Sequence, residues 1–299
     1  MFFGKNPPEI AYLGLPGEFT NKKIPINSYL DLLNQIVNSC KYNISLDIKT
    51  VCLDSSEFLI SDRFFNNLIE EESSETSNLI EEINSITAKN NIKICFYIGK
   101  DYFLGSQLKE NKDFTISLIN SISNVFDLIG IKYPSIMIRV GSAYGNRKKT
   151  MEDFCDTAMS LEKGSFSKIC VMNDDKPSLF SVTDLLSGVY YKLGIPICFR
   201  SLPHQFNDGG LSIREALFLS SSTWSSGLKP IFIYSESKES DSFGSPLISK
   251  TSDYLTRRIP TFGLDIDVVI DSDAKEDVCL KYRMDYKSLP PIVIGKKNF

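Results

Sequence analysis

The chain has 299 residues, 42% of them hydrophobic, and a formal net charge of −4. That length is enough to bury a large core, as one large α/β domain or two smaller ones, and the composition is ordinary for a soluble globular protein. The acidic balance excludes a whole-chain basic footprint for nucleic acid and leaves only a local basic groove. No apolar run approaches the roughly 18 residues that cross a bilayer, so no membrane association is expected.

Seven cysteines are scattered at Cys40, Cys52, Cys95, Cys155, Cys170, Cys198 and Cys279, with no C-x-x-C pair. Four of them, Cys52, Cys95, Cys170 and Cys198, fall in apolar strand-like runs. Buried thiols of this kind suit a reducing compartment, such as cytoplasm, nucleus or a virus particle, better than a disulfide framework. The opening MFFGKNPPEI lacks a basic region followed by a long apolar stretch, so no secretory signal is expected. Abundant Asn, Ile, Lys and Ser hint at an AT-rich genome.

In chain order, Ile10–Leu15 reads as a strand stopped by Pro16-Gly17. Asn27 is placed to cap a helix with apolar residues at 30, 32, 33, 36 and 37. Leu46–Leu53 is a second strand. Arg63–Glu72 and Ser77–Asn90 have helical spacing, separated by a Ser/Glu-rich break. Ile92–Gly99 is a third strand, and a helix runs from Asp113 to about Leu128, ending at Gly130. Ser135–Gly141 is a fourth strand, followed by an amphipathic helix at Thr150–Leu161. Lys168–Met172 is a fifth strand, with Asn173-Asp174-Asp175 directly after it. A helix follows over Val182–Leu193, closed by Gly194 and Pro196, and Ile197–Phe199 opens a sixth strand. Leu211–Thr223 is a helix, Lys229–Ser235 a seventh strand, Leu247–Arg258 a helix, Leu264–Ile270 an eighth strand and Lys275–Tyr286 the last helix. Pro290-Pro291 leads into an apolar tail, 290–299. The Ser/Glu-rich break and Ser235–Ser245 read as solvated loops.

Strands separated by helical segments pair in parallel, because a hairpin cannot make that connection. Eight such units in a row, with no long linker, predict an α/β fold of one domain over 1–299: a closed (β/α)₈ TIM barrel, with a doubly wound open sheet as the alternative. Asp174 and Asp175 then sit just past the C-terminal end of a strand, where parallel α/β proteins keep their chemistry.

The segment MIRVGSAYGNRKKTMEDFCDTAMSL resembles the UV damage endonuclease family. That family writes it as an apolar strand, His-Val-Gly-Gly, then Tyr-Gly-Asp-Lys and a helix; here it is Arg139-Val140-Gly141-Ser142, then Tyr144-Gly145-Asn146-Arg147. The family's Glu-Asn-Asp-Asp is similar to Met172-Asn173-Asp174-Asp175. Its Gly-Ile-Pro, apolar pair, Phe-Asp and following histidines are similar to Gly194–Arg200 with Pro203-His204. Tyr97–Lys100, Leu104-Gly105-Ser106, Trp224, the strand KPIFIYS, Ser252-Asp253-Tyr254 and Ile266–Asp271 fall where further family motifs stand. The resemblance covers about residues 92–280 and implies a (β/α)₈ barrel. In the family, a cluster of divalent ions held by His, Asp and Glu nicks DNA 5′ to a photoproduct.

The departures bear on that chemistry. The family's ligand positions carry Tyr97, Arg139, Met172, Arg200, Pro203, Ile233 and Thr251, with Asp271 in place of a Glu. The chain has one histidine, His204, so no shift of alignment restores a His-rich cluster. A guanidinium stays protonated and cannot ligate a metal. If the ligand positions implied by the resemblance face the barrel interior, alternation along strands puts Cys95, Met137, Cys170, Cys198, Ile231 and Val269 in an apolar interior layer. The layer above is then Tyr97, Arg139, Met172, Arg200, Ile233 and Asp271, and at least one Arg–Asp pair is expected within it. The residues aligned with the family's damage-probing pair are Lys100 and Asp101.

The degenerate site therefore comprises Tyr97, Arg139, Met172, Asn173, Asp174, Asp175, Arg200, His204, Ile233 and Asp271. Asn173–Asp175 reads most simply as a strand-to-helix turn, His204 as a solvent-exposed loop residue and Trp224 as core. Arg139 and Arg200 read as internal salt bridges, with a phosphate at the barrel mouth as the sharper alternative. Arg147, Lys148 and Lys149 lie at a helix start, where cations are not favoured by the dipole. They are candidate backbone-phosphate contacts or an ordinary solvated loop. The expectation is an inactive relative of the family with no metal or other cofactor, kept as a DNA-associated, structural or assembly protein whose partner is DNA or another protein. The competing reading is a working endonuclease with Mn or another divalent metal on Asp174, Asp175, His204 and Asp271.

Overall fold

The structure, a computed structural model, describes residues 7–19, 22–66, 74–142, 145–241 and 245–291. Eight short strands form one parallel sheet: β1 (Ile10–Tyr12), β2 (Thr50–Asp54), β3 (Lys93–Tyr97), β4 (Ile136–Arg139), β5 (Ile169–Met172), β6 (Ile197–Arg200), β7 (Ile231–Tyr234) and β8 (Asp267–Ile270). Each strand from β2 to β8 pairs with its neighbours in sequence, and β8 pairs with β1. The seam between β1 and β2 closes through a parallel bridge, Leu13 to Cys52, and Gly14 N–H donates to Cys52 O at 2.7 Å. Gly14 has φ +99°, and a Cβ there would come within 2.5 Å of the Glu57 and Lys275 side chains, so only glycine fits this closure. The ring is the (β/α)₈ barrel, not the open sheet.

Alternate side chains along each strand turn inward. Leu13, Cys52, Cys95, Met137, Cys170, Cys198, Ile231 and Val269 fill the barrel, with Tyr97, Met172 and Ile233 nearer the C-terminal ends. Trp224 joins this interior cluster and donates Nε1–H to Ile197 O at 2.8 Å, at the N-terminal end of β6, so it is core, as expected from the sequence. The opposite strand faces, including Ile94, Ile138, Val171, Phe199 and Phe232, pack beneath the helices. All seven cysteines are free and buried.

Several elements differ from the sequence expectation. The first helix, Tyr29–Ser45, is capped by Ser28 rather than Asn27: Asp31 N–H donates to Ser28 Oγ, and the Asp31 carboxylate accepts the Ser28 N–H, a reciprocal capping box. The second strand starts at Thr50, because Leu46 ends the helix and Asp47 turns the chain at φ +53°. It also runs one residue further, to Asp54. Ile24–Ile26 and Phe58–Ile60 form a small outer parallel pair that the sequence reading did not contain. Within Val182–Leu193 the chain takes a π-helical turn at Leu186–Tyr190. Of the expected helix Arg63–Glu72, Asp62–Asn66 is helical, while 67–73 lies outside the described residues, as do Tyr144 and tail residues 292–299.

The expected helix Leu247–Arg258 does not form. This segment folds back instead, with antiparallel bridges Ser237 to Thr251 and Ser240 to Pro246. The cause is a competing acceptor just past β7. The Glu236 carboxylate takes the Thr256 N–H at 2.9 Å, the Thr256 hydroxyl at 2.6 Å and the Arg257 N–H at 3.1 Å. Glu236→Ala is therefore expected to cost about 1–3 kcal/mol by leaving these donors unmatched. Hydrogen exchange should speed up at Thr256 and Arg257 while the β4 and β5 amides keep their protection.

Candidate functional site

The C-terminal ends of the strands gather most of the charged side chains named above. Arg139, the last residue of β4, stands two beyond the interior Met137 and so faces the same way. Arg200, the last residue of β6, stands two beyond the interior Cys198. Each is held by one carboxylate and one aromatic face. Arg139 Nη1 lies 3.3 Å from Asp174 Oδ1, and its guanidinium sits 5.3 Å from the centre of the Phe103 ring. Arg200 Nη2 lies 3.7 Å from Asp271 Oδ2, with its guanidinium 5.9 Å from the centre of the Tyr97 ring. The mouth thus contains two Arg–Asp pairs.

Local backbone stapling fixes these positions. The Asn173 side chain accepts the Arg200 N–H at 2.8 Å and donates to Arg200 O at 3.1 Å. It therefore ties the end of β5 to the end of β6, which goes beyond the turn-forming role expected for it. Ser201 Oγ does the same between β6 and β7, accepting the Ser235 N–H at 3.1 Å and donating to Ser235 O at 3.3 Å. Ser55 Oγ accepts the Gly99 N–H at 2.8 Å beyond β2 and β3. The loop carrying Phe103 docks along β4 through a bridge to Arg139 and a Gly105 N–H to Val140 O bond of 3.0 Å. A Cβ on Gly105 would meet that carbonyl at 2.6 Å, so this glycine permits the approach that brings Phe103 to Arg139.

The electrostatics follow from burial. Burial pushes Asp174 up to about 6, and the Arg139 and Arg200 guanidiniums limit the rise. Asp54 is also pushed up to about 6 by burial, against hydrogen bonds from Ser56. Asp271 is raised by burial, with Arg200 and Lys275 opposing, and burial raises the Tyr97 phenol as well. At the β1–β2 seam, Lys275 donates to Leu13 O at 3.1 Å and to Glu57 at 2.6 Å, from a backbone at φ +50°.

Not every sequence candidate joins this constellation. Met172 and Ile233 are buried apolar residues of the barrel interior. Asp175 is half-buried and adjoins Asp174. His204 is a correction: it is not a solvent-exposed loop residue but lies 2% exposed in a short helix, Ser201–Phe206. Its ring packs edge-on against Phe199, 5.2 Å between centroids. Phe199 belongs to the helix-facing core, so the one histidine is drawn away from the barrel axis. Arg147, Lys148 and Lys149 begin the helix Arg147–Met159, and each has a carboxylate partner: Asp184 at 2.7 Å, Glu152 at 3.8 Å and Asp153 at 3.0 Å. Lys100 and Asp101 are exposed.

Sequence reasoning missed Asp54, Phe103, Glu57 and Lys275. Asp54 had a usable signal. It stands two beyond Cys52 and pairs in register with Tyr97, but a strand drawn to end at Leu53 leaves it out.

A closed ring of eight parallel strands alternating with helices is a TIM barrel, with these charged side chains at its C-terminal mouth. The model of the family described as UV-endonuclease UvdE matches residues 25–295, and the chain belongs to that family. It is 24% identical over 201 residues to the UV DNA damage endonuclease of Clostridium perfringens (strain 13 / Type A), covering 67% of this chain and 47% of that protein. It is 28% identical over 148 residues to the UV DNA damage endonuclease of Bacillus cereus (strain G9842), covering 49% and 46%. The chain thus spans about half the length of the curated relatives it matches. Among solved structures, that of SacUVDE superposes with a TM-score of 0.76 at 22% identity, over 94% of this chain and 99% of that one. Endonuclease IV from Thermus thermophilus superposes with a TM-score of 0.60 at 10% identity, over 94% and 99%. These likenesses establish the fold.

Two outcomes follow from the mouth's electrostatics. A carboxyl whose folded pKa of about 6 exceeds the ordinary 3.8 binds its proton more tightly in the folded state. Its ionised form therefore opposes folding above about 6, and that penalty fades as pH falls through 6 and vanishes below 3.8. The denaturant stability of wild type relative to Asp174→Asn should accordingly rise between pH 7 and pH 4, by on the order of 1–3 kcal/mol. A flat difference across that range would contradict the assignment. Separately, Arg139→Met leaves Asp174 buried without its cation and should cost about 3 kcal/mol, whereas Arg139→Met with Asp174→Leu should return to within about 1 kcal/mol of wild type in a urea titration.

Proposed function

We propose that this chain is a single-domain barrel that keeps the scaffold of its family but acts by binding rather than by metal-dependent strand cleavage, with DNA or a protein assembly as its partner. The observation that carries this reading is the pairing of Arg139 with Asp174 and of Arg200 with Asp271 at the barrel mouth. Family membership implies a cluster of divalent ions there, and such a cluster needs several ligands converging at about 2.0–2.3 Å on each ion. The residues present do not fit it. Two mouth positions carry guanidiniums, which repel a cation and already engage two of the carboxylates that would bind one. Asp174, Asp175, His204 and Asp271 do not assemble into a reduced site, since His204 packs against Phe199 and the two paired aspartates serve different arginines. Among the described residues no three His, Cys, Asp or Glu side chains gather in a way that could hold a metal ion.

DNA as partner rests on family membership together with the basic start of the helix Arg147–Met159. There, Lys148 and Lys149 are exposed and, among the described residues, paired only with carboxylates of their own helix. Such i,i+4 pairs are weak, so exchanging a carboxylate for a backbone phosphate costs little.

The test is elemental analysis of protein purified without chelator, followed by a nicking assay on ultraviolet-irradiated duplex with added Mn²⁺. The reading expects no stoichiometric Mn, Zn or Mg and no scission. One or more tightly held ions per chain, with cleavage beside photoproducts, would sink it.

A further inference from the structure

We infer that the N-terminal end of the barrel carries a binding recess for a small amphipathic carboxylate, with Lys93, Lys229 and Tyr133 serving its head group and Trp224 and Leu228 its apolar body. This recess lies at the opposite end of the barrel from the paired arginines, so it stands apart from the preceding reading.

The alternation that puts arginines at one end of the barrel puts charge at the other. Two residues back from the interior Cys95, Ile231 and Val269 stand Lys93, Lys229 and Asp267. Lys93 and Asp267 are the first residues of β3 and β8, and their side chains are ion-paired. Around them lies a recess of about 440 Å³, with Trp224, Leu228, Ile231 and Val269 in its walls. That volume falls within the roughly 300–1,000 Å³ of small-molecule pockets. The N-terminal face of a barrel ordinarily serves stability, but side chains that line a void forgo packing contacts and so add nothing to it.

The polar groups of the recess select the charge of the ligand. Its described walls carry three lysines, Lys49, Lys93 and Lys229, against two carboxylates, Glu9 and Asp267. Asp267 is engaged by Lys93, whereas an ammonium has three N–H donors and Lys93 uses one of them there. Lys229 pairs with Asp265 at 2.6 Å, but Asp265 is 78% exposed and does not line the recess, so that pair is weak and readily exchanged. The Tyr133 hydroxyl accepts the Ile94 N–H at 3.5 Å, which leaves its own proton to donate. Burial pushes that phenol up to about 12, so the proton stays in place at neutral pH. Donors are in surplus and the buried carboxylate is occupied, which favours a head group that only accepts. Trp224 sends its N–H to Ile197 O, and its ring lines the recess beside Leu228. A carboxylate on a short apolar body meets both demands. An alcohol would bring no counter-charge to the lysines, and an amine would bring the wrong one.

Trp224 is the one tryptophan of the chain, so its emission reports on the recess directly. The experiment is a fluorescence titration of the whole chain at pH 8 with octanoate, octanol and octylammonium, which share a body and differ in head group. Octanoate is expected to saturate the Trp224 signal at one site per chain and to bind at least about tenfold more tightly than octanol, with octylammonium weakest. Lys93→Gln, whose amide still donates to Asp267, should weaken octanoate about tenfold and leave octanol within about twofold of wild type. Tyr133→Phe should weaken octanoate by about threefold or more and spare octanol. Should Lys93→Gln not fold, the ranking of the three probes on wild-type protein and the Tyr133→Phe shift decide the matter. Octanol binding as tightly as octanoate would make the recess merely apolar. Tightest binding of octylammonium would give Asp267 the leading role, and the absence of a saturable signal would leave the recess without such a ligand. Each of these three results overturns the carboxylate site, and each leaves the metal content and the nicking assay to judge the preceding reading separately.

Discussion

A parallel barrel strand can turn only every second side chain toward the axis, and the structure of this protein depends on that constraint. The alternation makes Cys52, Cys95, Met137, Cys170 and Cys198 one interior group. It leaves Asp54, Tyr97, Arg139 and Arg200 to finish their strands two residues later on the same side. The interior is built from medium-sized, deformable side chains that fill an irregular space without polar demands. What varies is the last inward residue of each strand. The scaffold can therefore stay constant while the chemistry of the mouth changes, because the residues that pack and the residues that face the mouth are separate positions on the same strands.

Much of this was legible in the sequence, because both the strand periodicity and the inward register are carried by apolar residues. Once Cys95, Met137, Cys170 and Cys198 are placed inside, Tyr97, Arg139 and Arg200 must end their strands above them, and at least one Arg–Asp pair is expected in that layer; Arg200 with Asp271 is such a pair, while Arg139 pairs with Asp174 just past β5. What was not legible depended on side chains that compete with the local pattern. Leu247–Arg258 has helical spacing, but Glu236 offers three hydrogen bonds to Thr256 and Arg257 in a different conformation. Asn27 and Ser28 are both good caps, and only the position of Asp31 chooses between them. Asp54 was lost because Leu46–Leu53 looks continuous, whereas Asp47 turns the chain in the left-handed region and delays the strand to Thr50. His204 has no signal in sequence at all. Its ring packs against Phe199, which lies on the opposite face of β6 from Arg200.

A divalent ion and a guanidinium are not equivalent partners for a buried carboxylate. A divalent ion neutralises several carboxylates at once and binds only when they are free. A guanidinium is covalently fixed, so its charge is present whenever the chain is folded, and each one offsets a single carboxylate. A buried ion pair is weak evidence for net stability, because desolvation of both partners consumes most of the attraction. The elevated Asp174 carboxyl is the local sign of that balance, since burial outweighs the two nearby cations. Arg139 and Asp174 therefore do little for folding that a pair of apolar residues would not do better.

The pairing is also incomplete among the described residues. A salt bridge evolved only to fill space would be expected to satisfy both its members, since each buried N–H without a partner carries a cost. Here Arg139 contributes one nitrogen to Asp174 at 3.3 Å, while Nε and Nη2 have no partner among the described residues; Asp174 likewise engages one oxygen and not the other. The unpaired atoms are themselves buried, so among the described residues this pair carries a desolvation cost that one ion-pair contact offsets only in part. The aromatic faces of Phe103 and Tyr97 strengthen the point, because they restrain the guanidiniums without competing for their N–H groups. A guanidinium fixed by an aromatic face and one carboxylate oxygen is thus held in place without its full complement of hydrogen bonds, so the pair orders the mouth more than it adds net stability.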